Sequence, residues 1–435
     1  MTWACKALAL VVVICFAGGA LQAEPRNGAL EQAGRFMLAE DFPAARAVAE
    51  TAIPQTPEDS VEQAWIIGLS HMRENAPRAA LPHLERTVTL APQVPRFRLE
   101  LARALYLTEQ DARARFHFEN ALSGQLSLGE ISAVQEYLTA MDRRRTWQGH
   151  ASFAIVPQTN PTRASGESHV MVGGAIPLPL AQARRGVGMD LGLGGTWLPR
   201  LGHDLRGRVH VMANGQVFED SRLNSWRLRN EFGLLTLGDH GQQIGAGVTL
   251  QAAFGDGGRL MEGLGVYASF QRRFGPRTHL SVRANADRLR YPGVANKAMD
   301  GWRTALSVKA MHILTPQIRL DGGVSLAKHN ARADFNTRSD IGVSFGGQYA
   351  HAGGMTTGLS AAASQTQYAA SNPLLPQFAP ARDTNVSLTA SLMHRELTMQ
   401  GFAPVLHLGV ERQDSNIPSR SFSNIRASIG ATRNF

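Results

Sequence analysis

The stretch NIRASIGATRNF, residues 424–435, decides how the rest of the chain is read. Ile425, Ala427, Ile429 and Ala431 alternate with Arg426, Ser428, Gly430 and Thr432, and this period of two puts one set of side chains on each face of a sheet. The pattern runs to Phe435. A last strand that is apolar on one face and polar on the other, ending on an aromatic, is expected in a sheet whose apolar face meets lipid.

Moving upstream, the same alternation recurs. Ile341, Val343, Phe345 and Tyr349 alternate with Gly342, Ser344, Gly346 and Gln348, and Val386, Leu388, Ala390 and Leu392 with Asn385, Ser387, Thr389 and Ser391. Candidate strands start near residues 147, 168, 187, 204, 225, 241, 261, 277, 301, 317, 337, 354, 384, 401 and 421. Tight turns such as FGPRT (274–278), LTPQ (314–317) and HAGGM (351–355) alternate with open loops such as YPGVANKAMDG and YAASNPLLPQFAPARD. Short turns on one rim and long loops on the other describe an outer-membrane β-barrel, which must close because an open edge in hydrocarbon is too costly. Bacterial barrels have even strand numbers. Counting back from Phe435 keeps phase for fourteen strands to about residue 168, leaving the candidate at 147–157 as a linker or as a sign of a merged pair elsewhere.

Before Trp147 the period is helical and the sequence repeats. Ala45, Ala80 and Ala114 fall in register, as do Ala33, Gly68 and Ala102 twelve residues earlier and Glu50, Glu85 and Glu119. Small residues twelve apart within a period of 34 or 35 resemble tetratricopeptide units, in which two helices approach closely. Three units over about 26–125 and a closing helix, Ile131 to Arg145, are expected; a plain helical bundle is the alternative. In a solenoid the first helix of each pair lines the concave face, which nominates Trp65, Met72, Arg96, Arg103 and Tyr106 for partner contact. Roles in the core or on solvated surface stay open for each.

The N-terminus reads as an export signal, with Lys6 followed by the apolar run Ala7 to Ala17 and small residues to Ala23. That run is shorter than a spanning helix needs. Cys5 and Cys15, the only cysteines, both fall within the expected signal, so no disulfide or thiolate site is expected in the exported chain. The formal charge of +9 favours anionic surfaces, and export favours membrane over nucleic acid. The resulting organisation is multidomain, α + β: a signal at 1–23, a helical domain facing the periplasm at 24–146 and an antiparallel transmembrane barrel at 147–435.

Chemistry is hard to place. GVSFG at 342–346 matches the elbow of serine hydrolases, but it lies within an alternating strand rather than a strand-to-helix turn. No dinucleotide fingerprint, phosphate loop or clustered histidines occur, so neither enzyme activity, cofactor nor metal is expected. Arg208, Arg227, Arg229, Arg283 and Arg319 are read as lining the lumen.

Three local features carry a family resemblance. They are RRRTW with PQTNPTRA just after it, RFRLELARALYLTEQDARARFHFENAL in the last repeat, and the GFAP and DSN pair in the final hairpin. With them the chain resembles the surface lipoprotein assembly modulator (Slam) family. The resemblance implies a periplasmic tetratricopeptide domain joined to a fourteen-stranded barrel. It also implies help in moving surface lipoproteins, or in some members soluble haem-binding proteins, across the outer membrane. The partners implied are such a client, outer-membrane lipid and the barrel assembly machinery, which would read Phe435 together with Ile429 and Gly430; a monomer is expected. A polysaccharide-export or general diffusion porin with a tetratricopeptide scaffold is the alternative.

Overall fold

The computed structural model describes residues 27–122, 126–144, 146–351, 354–394, 397, 399 and 402–434. The expected export signal and Phe435 lie outside these residues.

Seven helices come first: α1 (Gly28–Leu38), α2 (Phe42–Thr51), α3 (Pro57–Arg73), α4 (Pro77–Leu90), α5 (Pro95–Leu107), α6 (Asp111–Ala121) and α7 (Leu128–Arg144). Their starts are written locally. Asn27, Asp41 and Thr56 accept capping bonds from Ala29, Ala44 and Asp59, and Pro57, Pro77 and Pro95 occupy first-turn positions where no N–H is needed. The turn within each hairpin is the same structure three times. Glu40, Asn75 and Glu109 take left-handed backbone (φ 58, 59 and 62°), and the next N–H reaches back to Phe36, His71 and Leu105. The intervals between those turns, 75 − 40 = 35 and 109 − 75 = 34, repeat the spacing of the aligned alanines.

Those small residues sit where the helices touch. Ala33, Ala45, Ala80, Ala102 and Ala114 are fully buried, and a Cβ on Gly68 would come within 2.9 Å of Leu84. Around them Leu84, Leu101, Leu105, Phe118, Leu138 and Met141 form the main helical core, with α7 closing it through Val134, Leu138 and Met141.

At Trp147 the chain enters the sheet. Fourteen antiparallel strands close a barrel: β1 (Trp147–Gln158), β4 (Gly186–Trp197), β5 (Leu205–Phe218), β6 (Ser225–Leu237), β7 (Gln243–Gly255), β8 (Gly258–Phe274), β9 (Thr278–Arg290), β10 (Gly301–Ile313), β11 (Ile318–Ala331), β12 (Arg338–Ala350), β13 (Met355–Tyr368), β14 (Arg382–His394), β15 (Ala403–Ser415) and β16 (Phe422–Asn434). β1 pairs with β4 on one side and with β16 on the other. The expected total of fourteen stands, but the membership differs at the start. The strand at 147 belongs to the wall, whereas the candidate near 168 is a separate hairpin, β2 (His169–Val172) with β3 (Ile176–Pro179), inside the loop after β1. The four-residue strands flanking the turn at Gly173 and Gly174 are too short to cross hydrocarbon.

The wall is apolar outside. Phe345, Ile429, Leu193 and Leu264 are 62, 69, 64 and 58% exposed, while their sequence neighbours turn inward. Aromatic residues sit near both rims: Trp147, stacked on Trp197 at 6.2 Å, and Phe274 on the short-turn side, Trp226 and Trp302 on the long-loop side. This is the girdle of a spanning barrel. Among the described residues no helix is long and apolar enough to cross a membrane.

Candidate functional site

The helical domain is carried on the short-turn rim. Arg277, in the turn between β8 and β9, donates to the Leu122 carbonyl at 3.3 Å, and His279 lies 3.9 Å from Glu119. Ser132, Gln135, Glu136 and Thr139 of α7 border a cleft of about 600 Å³ with Asp239 of the β6–β7 turn and Arg272 to Pro276 of the β8–β9 turn. The other end of α7, Arg144, lies three residues before the start of β1 in the chain. Along the wall, β4 to β7 separate β1 from β8. Fourteen strands about 4.8 Å apart and tilted by about 40° make a barrel about 28 Å across, and a helix of 17 residues is about 25 Å long. α7 therefore runs beneath the mouth from one side towards the other.

The end of α7 is clamped. Arg144 pairs through Nε and Nη2 with the two carboxylate oxygens of Asp111, donates to the Tyr106 carbonyl at 3.0 Å and stacks 4.0 Å from the Tyr106 ring, which meets Tyr137 edge-on at 4.9 Å. The Asp111 carboxylate raises the Arg144 pKa above its ordinary value, against a smaller desolvation penalty. The last described residue of α7 is thus fixed against α5 and α6, three residues before β1 begins.

Of the residues nominated for partner contact, Trp65 is half-buried with its ring 4.7 Å from Phe97, and Arg96 is half-buried at the start of α5. Arg103 pairs with Glu100 at 3.5 Å and keeps 40% of its side chain exposed. Tyr106 holds α7. Met72 corrects the expectation: it is 4% exposed, inside the main helical core, because the packing of α3 against α4 and α5 turns that position inward.

Inside the barrel, adjacent strands assemble a charged patch. Glu231 on β6, with 4% of its side chain exposed, is bonded by Arg229 at 3.0 Å, Arg208 of β5 at 3.3 Å and Arg283 of β9 at 2.6 Å. Arg283 crosses two strands to reach it. The wall is flat enough there because Gly233 and Gly247 carry no side chain; a Cβ on Gly233 would stand 2.7 Å from the Tyr267 hydroxyl. Tyr267 lies over that space, with Arg283 at 4.6 Å and Arg208 at 5.9 Å from its ring. Three guanidiniums on one carboxylate leave the patch positive. The lumen-lining expectation for Arg208, Arg229 and Arg283 holds, but Glu231 as their hub was missed, since strand register alone brings residues 208 and 283 together. Arg319 instead donates to Gln348 at 2.9 Å, and Arg227 faces the lumen two residues before Arg229. Ser344 of GVSFG sits mid-strand in β12, facing inward, where no elbow exists.

At the long-loop rim a polar network ties the first strand to the last. Asn160 is 4% exposed: its backbone N–H donates to Asn424 Oδ1 at 2.9 Å, and its Nδ2 donates to the Ser423 carbonyl at 3.0 Å. Asn424 in turn donates to Gln158 Oε1 at 2.9 Å. This explains the QTN stretch. Asn416 of DSN holds the loop before β14, accepting from the Arg382 N–H at 2.7 Å. Gly430 approaches β1 so closely that a Cβ would meet the Phe153 carbonyl at 2.0 Å, and Ile429 points outward.

A closed antiparallel barrel with a lipid-facing belt, a charged lumen and helices on its short-turn rim defines a transmembrane barrel of the outer-membrane kind. Residues 147–435 match the model of the surface lipoprotein assembly modifier family, and the chain belongs to that family. Among solved structures it is similar to the outer-membrane channel DcaP of Acinetobacter baumannii, at 10% identity over 66% of this chain and 96% of that chain, with a TM-score of 0.40. A bacterial polysaccharide outer membrane secretin is 11% identical over 66% and 98% of the two chains, with a TM-score of 0.34. The toluene transporter TodX of Pseudomonas putida is 12% identical over 71% and 94%, at 0.36. Likenesses this distant carry no argument about function. No curated protein matches the chain.

Proposed function

We propose that this protein moves lipid-anchored clients across the outer membrane, with the helical domain in the periplasm engaging the client and the barrel providing the route. The observation that carries this reading is the placement of α6 and α7 on the short-turn rim of a barrel from the surface lipoprotein assembly family. A client held there is delivered at the lumen entrance. The described residues show no nucleotide-binding motif, so folding of the client outside, or a partner protein, supplies the direction in this reading. An export signal at 1–23 and recognition of Phe435, Ile429 and Gly430 by the assembly machinery complete it.

The test is surface labelling of intact cells with and without the gene. Loss of one lipoprotein from the surface and its retention in the periplasm is the expected result; an unchanged surface profile overturns the reading. Arg96→Ala with Arg103→Ala weakens display while the barrel still assembles, Tyr106 being kept because it clamps α7. The positive patch at Arg208, Arg229 and Arg283 favours a second reading, conduction of anions or an anionic polymer. Planar-bilayer conductance separates the two, since a porin conducts steadily without any client.

A further inference from the structure

The seam where the barrel closes is unlike the rest of the wall. Among the described residues β1 and β16 share seven partner positions, whereas every other pair of adjacent wall strands shares ten to thirteen. Partners run from His150 to Ile155, stop at Val156 and Pro157, and resume at Gln158. The cause is chemical. The Thr159 N–H donates to Ile425 on β16, so the backbone nitrogen two residues earlier faces the same strand, and Pro157 has no hydrogen to give it. Proline within a strand belongs at an edge.

Side chains take over where the ladder fails. Gln158, Thr159 and Asn160 on one side bond Ser423, Asn424 and Ile425 on the other, and Arg426 pairs with Asp190 at 2.7 Å across the inner face of β1. Each of these bonds has a side chain on at least one side, and a side chain releases by rotation, without unzipping a ladder. The two faces of the seam also differ: Phe153, Ile155 and Ile429 are exposed outside, while Ser152, Ala154 and Gly430 present small surfaces within. A molecule that is part polypeptide and part hydrocarbon fits both faces at once.

We propose that the β1–β16 seam is a lateral passage through which the acyl chains of a lipid-anchored client leave the lumen for the bilayer, held shut by the Gln158–Asn160–Asn424 latch. The proposal rests on the translocation reading above and specifies how its lipid part crosses.

The first test staples the seam. Ser152 and Thr432 are partners that face inward at a position between ladder bonds, where side chains approach closely, and the described residues contain no cysteine. In Ser152→Cys/Thr432→Cys, oxidation abolishes surface display of the lipid-anchored client and reductant restores it. A client whose acylated cysteine is replaced still crosses. A control staple, Ala362→Cys/Ser387→Cys between β13 and β14, leaves display intact. Display that persists through the closed Ser152/Thr432 staple overturns the proposal. Should the stapled barrel fail to fold, Pro157→Thr decides the matter: it restores one ladder bond and slows display about fivefold, the effect of one net backbone hydrogen bond on an opening equilibrium. Unchanged display in Pro157→Thr overturns the proposal as well. Failure of the translocation reading is distinct, because the unmodified protein would then make no difference to surface lipoproteins.

Discussion

The helical region and the barrel use the same apolar residues in opposite ways. Leu84 and Leu105 are fully buried among helices, whereas Phe345 and Ile429 are 62 and 69% exposed on the barrel. The barrel reverses the arrangement for charge as well: Glu231 and its three arginines are inside, while charged residues of the helices, such as Arg35 and Glu31, pair on the surface. The two regions answer different solvents. Helices in water hide hydrocarbon, and a barrel in lipid displays it while keeping its polar groups on the lumen side.

Substitutions that act on one region alone sharpen this contrast. The largest effect is expected at Glu231→Ala, which strands three guanidiniums in the wall and costs the barrel about 3–5 kcal/mol, as breaking a buried ion pair does. It is measured as a lower temperature for loss of the compact band on gels, with the helical circular-dichroism transition unmoved. Leu105→Ala does the converse, costing the helical core about 2–5 kcal/mol through a cavity. If it shifted both transitions equally, the regions would be one cooperative unit and the contrast would break. Phe345→Arg costs about 2–4 kcal/mol if the position lies near the bilayer midplane, whereas Ser344→Arg, facing the lumen, leaves assembly intact. Equal damage from both would refute the assigned faces.

The smallest effect is a pH dependence confined to the helices. Burial lowers the pKa of His71 and of His83, whose rings stack at 6.1 Å between α3 and α4. Arg46 adds to the effect at His71, and His71 and Arg86 add to it at His83, with Glu50 opposing at both and Glu74 at His71. A histidine depressed in the folded state stabilises fully above its ordinary value of 6.5 and less as pH falls through the folded value. The helical transition should therefore drop in temperature below about pH 6.5, and His71→Gln/His83→Gln should flatten that slope. A slope that survives the double substitution would assign it elsewhere.

Legibility followed how local each signal is. The helical units were readable because Ala45, Ala80 and Ala114 keep a constant spacing, and the turns at Glu40, Asn75 and Glu109 repeat it. Most strands were readable because a lipid-facing sheet must alternate. The β2–β3 hairpin misled because a short apolar stretch does not disclose how long a strand will be, and Met72 misled because the helical period does not say which side of α3 is covered by its neighbours.

By itself the sequence determined the two classes of element and their order, since periods of 34 residues and of two are properties of the chain alone. The tertiary structure decided register. Only closure of the sheet sets β1 beside β16, brings Arg208 and Arg283 to Glu231, and leaves Pro157 facing a carbonyl it cannot satisfy. Those meetings join residues far apart in the chain, and no local period encodes which carbonyl a distant strand will offer.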